Sequence, residues 1–219
     1  MSKAIIVCDF AYKGTVRRGY GTGKSGLRKI LQYLQYRDTR NNTLAKDRKF
    51  ERWQDRGMGV HYREILQRCE ELKSKHVLAW TWVVSPDPEL MALVPPKERR
   101  ALLIDLTERV VEDYYTERGF DLPEYSFVLH TAKTEPDADG HVLDHMHAHV
   151  VLPGTAPSVA ERLPVYNNKE RGHDALFRDV ATKNFEIVLD RTVGLEWRKL
   201  REEPEIAHDG SIDLDQWFS

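Results

Sequence analysis

Two cysteines in 219 residues are too few for a disulfide framework. Cys8 falls in a predicted strand and Cys69 on the apolar stripe of a predicted helix, so both read as buried thiols and neither suits metal ligation. No apolar run approaches the roughly 20 residues of a membrane span. The Met-Ser-Lys start also lacks the long apolar core of a signal peptide, and a cytoplasmic protein is expected. An excess of one charge is missing too: 33 Lys and Arg stand against 35 Asp and Glu, a formal net charge of −2. That excludes a surface coated in positive charge. There is no internal repeat and no low-complexity segment. Finally, Gly23-Lys24-Ser25 lacks the partner glycine of a phosphate-binding loop. The pattern G-x-x-x-x-G-K-[ST] needs glycine where Arg18 stands, and Gly19 comes one residue late. Ser25 reads instead as the cap of the following helix.

What is present suffices for one core, with 41% hydrophobic residues. We expect one domain over residues 1–203 and an acidic tail over 204–219. Charge is distributed unevenly. Arg17, Arg18, Lys24, Arg37 and Arg40 belong to a basic N-terminal region interleaved with Tyr12, Tyr20, Tyr33, Tyr36 and Trp53. Cations for phosphates and rings for bases are what a nucleic-acid strand needs; the alternative is an ordinary solvated surface.

In chain order, Ala4 to Phe10 reads as a strand. A helix follows with Leu27, Ile30, Leu31 and Leu34 as its apolar stripe. At about 100° per residue, Tyr33 falls on the flank of that stripe and Tyr36 nearly opposite it. Residues 38–56 are polar and basic and read as a loop. Tyr62, Ile65, Leu66, Cys69 and Leu72 mark a second helix, and Val77 to Val84 a strand carrying Trp80 and Trp82. Ser85-Pro-Asp-Pro88 ends that strand. Pro95-Pro96 opens a long helix to Arg118, with Gly119 at its end. Two strands come next, then a short one near Leu163 to Tyr166, and a last helix from His173 to about Glu203. This is an α+β plan, an antiparallel sheet with helices packed on one face and a histidine site on the other.

The histidines lie in Asp144-His-Met-His-Ala-His-Val-Val-Leu152. Strand alternation puts Met146, Ala148, Val150 and Leu152 on one face and His145, His147 and His149 on the other. Unpaired imidazoles side by side lose hydration on burial, and a divalent transition metal is a common partner for them. Alternate residues lie roughly 6.6 Å apart, within reach of one ion, whereas His145 and His149 are separated by roughly 13 Å. A third ligand therefore comes more readily from a neighbouring strand, and His130 is the candidate. In Glu124 to Thr131, Tyr125, Phe127 and Leu129 form the apolar face and His130 points the other way. The turn formers of Thr134 to Gly140 make the two strands a hairpin, which brings His130 beside the pair.

These residues resemble the relaxases, the plasmid mobilisation nucleases of the HUH endonuclease superfamily. The resemblance rests on Leu31-Gln-Tyr-Leu-Gln-Tyr-Arg-Asp38, on Val83-Val-Ser-Pro-Asp-Pro88 before a long helix, and on His130 followed by His147-Ala-His149-Val-Val. It spans about residues 4 to 195. It implies that His130, His147 and His149 hold a divalent metal, Mg²⁺ or Mn²⁺, against a scissile phosphate. It further implies that Tyr33, or Tyr36 close by, attacks single-stranded DNA at a transfer origin and forms a 5′-phosphotyrosine link, with accessory mobilisation proteins as possible partners. The gap before the pair is longer than usual in that family, so His141 and His145 stay open as ligands. Asp144 reads as a hairpin-end residue or as a carboxylate orienting an imidazole. Competing readings are a non-cutting nucleic-acid-binding regulator of the same fold, another His-ligated metalloenzyme such as a cupin-like barrel, and histidines satisfied by carboxylates and carbonyls.

Overall fold

Consecutive apolar residues at Val150-Val151-Leu152 require a strand that is covered on both faces, and that requirement organises the molecule. The structure, a computed structural model of the chain, describes residues 4–15, 23–37, 53–156, 163–164 and 173–200. In order the elements are β1 (Ile6–Gly14), α1 (Gly23–Tyr36), β2 (Trp53–Arg56), α2 (Tyr62–Glu71), β3 (Val77–Pro86), α3 (Pro88–Leu93), α4 (Arg99–Glu117), β4 (Tyr125–Lys133), β5 (Asp144–Pro153), β6 (Thr155–Ala156), β7 (Leu163–Pro164) and α5 (His173–Val193), with a final 3₁₀ turn at Leu195–Leu200. The main sheet has the order β1-β3-β5-β4-β2, and each of its ladders is antiparallel. β5 therefore lies at the centre, flanked by β3 and by its hairpin partner β4.

One face presents Trp80, Trp82, Val84, Phe127, Leu129, Ala148, Val150 and Leu152 to α3, α4 and α5. Trp82 is its centre, stacked on Tyr115 at 5.7 Å and edge-on to Tyr114 at 5.2 Å. The other face presents Ala79, Val128 and Val151 to Leu27, Leu31 and Leu34 of α1 and to Ile65, Leu66 and Cys69 of α2. The α+β, antiparallel plan thus stands, but the expectation of helices on one face is corrected. Helices pack on both, and α1 and α2 cover half of the histidine face. The apolar stripes of these two helices need a surface to bury against, and the doubly apolar half of β5 supplies it.

Local differences follow from similar causes. Trp53–Arg56, expected as loop, forms an edge strand on β4, because Trp53 buries its ring in the second core. Ser85-Pro-Asp-Pro88 ends β3 as expected and also starts α3, where the Asp87 carboxylate caps the amides of Glu89 and Leu90. Ser25 is not a cap, since α1 already begins at Gly23. A Cβ on Gly23 would lie 1.8 Å from the Gly14 carbonyl oxygen, so a close backbone approach, not a phosphate, accounts for that glycine. The last helix stops at Val193, where Gly194 takes φ 77°, short of the expected Glu203. Both thiols are free, and burial pushes Cys8 up to about 12 and raises Cys69 as well, which makes them inert. No helix among the described residues is long and apolar enough to cross a membrane. The tail at 204–219 lies outside the described residues.

Candidate metal centre

The hairpin register sets His130 of β4 directly opposite His147 of β5, with His149 opposite Val128 one step inward. Because facing residues in an antiparallel pair share a side, the three imidazoles meet on the second face, at the edge of the apolar patch. Ring centroids are separated by 5.7 Å (His130 to His147), 4.9 Å (His130 to His149) and 5.0 Å (His147 to His149). One ring nitrogen from each lies within 4.8 Å of the other two. His130, His147 and His149 are therefore within metal-binding distance of one another, as the strand alternation implied.

Two of the rings have an N–H group held by a backbone carbonyl. The Nε2–H of buried His130 donates to the carbonyl of Leu34 at 2.7 Å, which leaves Nδ1 as the acceptor nitrogen. Leu34 belongs to the last turn of α1, whose carbonyls have no partner within the helix, so this bond satisfies α1 and aims the imidazole together. His147 turns its Nδ1–H to the carbonyl of His145 at 3.3 Å, leaving Nε2 as its acceptor nitrogen. A ring N–H held by a carbonyl is the usual companion of a metal-ligating histidine. Protonation is disfavoured as well. Burial, reinforced by the neighbouring rings and by Arg37, pushes His147 down to about 4 and His149 down to about 3. Both are neutral at neutral pH, the form that can ligate.

Those shifts carry a stability consequence. Between pH 6.5 and pH 4 the unfolded chain takes up protons at these two positions that the folded chain refuses, so acidification favours unfolding. The denaturation midpoint of the metal-free protein should fall over this interval. In a His147→Gln, His149→Gln double variant the fall should be visibly shallower, and an unchanged slope would remove the assignment.

The other histidines go elsewhere. His145 pairs through Nε2 with the hydroxyl of Ser85 on β3 at 2.7 Å. His141 lies at the exposed hairpin tip beside Asp137. Asp144 bonds Lys133 across the hairpin end at 2.6 Å, so the carbonyls of Leu34 and His145, not this carboxylate, hold the ligand rings. Backbone acceptors of this kind leave no mark in a sequence.

The centre has one further occupant. A terminal nitrogen of Arg37, the residue after α1, lies 3.2 Å from Nδ1 of His130 and 3.1 Å from Nε2 of His147. Arg37 was expected on the DNA path, and its contact with the ligand rings was not legible. Tyr33 stands four residues before Arg37, on the same flank of α1, and is 46% exposed. Tyr36 stands four after Gln32 on the flank that meets α2; its hydroxyl is 3.5 Å from Nε2 of His61 and its ring edge-on to Tyr62. Tyr62 is a phenol that the stripe reading treated as core. Its oxygen accepts from the side chains of Arg63 at 3.2 Å and Gln32 at 3.1 Å, which holds its pKa below the usual tyrosine value. Lys24 forms an ion pair with Glu70 of α2. Arg17, Arg18 and Arg40, with most of the two basic loops, lie outside the described residues.

No protein-family model matches the chain, and no curated protein is significantly similar to it in sequence.

Proposed function

We propose that the protein is a metal-dependent nuclease that nicks single-stranded DNA and holds the cut strand on a tyrosine, as HUH relaxases do in plasmid mobilisation. The observation that carries this reading is the convergence of three imidazoles, two with N–H groups tied to carbonyls, beside the helix that bears Tyr33. His130, His147 and His149 would hold Mg²⁺ or Mn²⁺. When bound, such an ion polarises a nonbridging phosphate oxygen and neutralises charge that develops at phosphorus. The chain's own residues do the rest. The β4–β5 hairpin fixes the rings, the α1 carboxyl end roofs them, and the flank carrying Tyr33 and Arg37 offers a nucleophile and a cation on the same side. A phenol has a pKa of about 10, so attack requires loss of its proton as the new P–O bond forms and the 3′ oxygen leaves. The link conserves the phosphodiester's bond energy and permits religation.

Pooled single-stranded oligonucleotides with Mn²⁺ or Mg²⁺ should yield a protein–DNA adduct that survives denaturing electrophoresis and is absent with a chelator. Binding itself should survive chelation and weaken steeply with salt, because each phosphate neutralised releases counterions. Salt-sensitive binding with no adduct under any condition would replace the nuclease with a non-cutting regulator of mobilisation or replication.

A further inference from the structure

Arg37 makes a contact that sits uneasily with a waiting metal centre. A ring-nitrogen lone pair serves one partner at a time, and the guanidinium uses Nδ1 of His130 and Nε2 of His147, the two nitrogens that the carbonyl bonds do not use. A guanidinium is permanently charged, so it also repels a divalent ion approaching the same nitrogens. Among the described residues no carboxylate pairs with it, and two neutral imidazoles are a poor substitute for an anion. Its release disturbs little. Arg37 follows the end of α1, and the bond from His130 to Leu34 does not depend on it.

We propose that Arg37 is a displaceable occupant of the histidine centre, which leaves the two imidazole lone pairs for a phosphodiester when a divalent ion enters and so couples metal loading to DNA binding. This rests on the metal-centre reading above. An arginine in water gains little by leaving, whereas a phosphate beside the ion offers it paired charge-assisted hydrogen bonds. The coupling is reciprocal: whatever factor DNA adds to metal affinity, metal adds to DNA affinity. The centre would thus stay sparsely loaded until a strand is present.

Calorimetric titration of the full chain with MnCl₂, alone and with oligothymidylate, tests this. Arg37→Gln should bind Mn²⁺ roughly tenfold more tightly than the wild type without DNA, the scale of two modest hydrogen bonds no longer surrendered. Oligothymidylate should tighten Mn²⁺ binding by the wild type, and this gain should shrink in Arg37→Gln. Arg37→Lys, which keeps the charge but not the planar fork, should fall between them. Equal Mn²⁺ affinities in all three, with no effect of oligothymidylate on the wild type, would overturn the proposal while the metal centre stands. Absence of Mn²⁺ binding in every variant would overturn the centre as well. A purely structural Arg37 would lower the unfolding midpoint of Arg37→Gln and leave its metal affinity at the wild-type value.

Discussion

Alanine at position 149 is expected to abolish Mn²⁺ binding and, with it, nicking, while leaving a folded protein. His149 stands one step further along β5 toward the apolar patch than His147, packed against both other rings and paired across the sheet with Val83 and Val128. Losing residues that merely orient ligands typically weakens metal affinity about 10–100-fold, so loss of a ligand itself should reach or exceed the upper end. The fold should suffer little. His149 stands at the edge of the second core, and burial already holds its imidazole down to about 3, so the ring contributes a desolvated polar group rather than a needed apolar one. The clean readout is therefore thermal. An ion that binds only the native state raises the wild-type midpoint in proportion to the logarithm of its concentration, and His149→Ala should show no such rise. His145→Ala is the matched control. It removes the bond to Ser85 and should retain the Mn²⁺ effect, because His145 stands outside the cluster. Equal Mn²⁺ stabilisation of wild type and His149→Ala would sink the three-histidine assignment.

Much of this site was legible because two-residue alternation is a strong constraint. In Asp144 to Leu152 a slip of one residue would bury three imidazoles in the aromatic core, so only one facing is tolerable. The turn-rich stretch after Lys133 then implied a hairpin that sets His130 beside the histidine strand, and the structure supplies the register that pairs it with His147. What sequence could not give was the roof. That the Leu34 carbonyl meets His130, and that Arg37 reaches across to both strands, depends on where α1 docks, and a helix stripe says only that it docks somewhere. The second layer of helices had a visible sign in the unbroken Val150-Val151-Leu152 run, which argues for burial on both faces. Trp53 gave a weaker one, a single large apolar residue in a polar stretch. Tyr62 was hidden for the opposite reason: its place on an apolar stripe concealed a hydroxyl that accepts two hydrogen bonds at the end of α1's other flank.

The tyrosines are separated by which flank of α1 they occupy, and phenylalanine substitutions turn that geometry into a result. Arg37 reaches the histidines from one side of the helix, and Tyr33 lies one turn back on that side, whereas the contacts of Tyr36 are with His61 and Tyr62 at the start of α2. Phenylalanine keeps the ring and removes only the oxygen that would bond phosphorus. Tyr33→Phe should therefore eliminate the covalent adduct altogether, since no residual chemistry remains at that atom, and leave Mn²⁺ and oligonucleotide affinities within about twofold of wild type, the spread of a surface substitution. Tyr36→Phe should keep the adduct, with a small loss of stability at most, because the bond it gives up to His61 is long and exposed. A packing role for Tyr33 predicts the reverse: full adduct formation in Tyr33→Phe. Should the adduct vanish only in Tyr36→Phe, attack comes from the α2 flank, and the strand must cross the carboxyl end of α1 to reach it. Should it survive both substitutions and vanish in Tyr62→Phe, the phenol already held by Arg63 and Gln32 is the nucleophile, and the cluster of Tyr36, His61 and Tyr62 becomes the face that receives DNA.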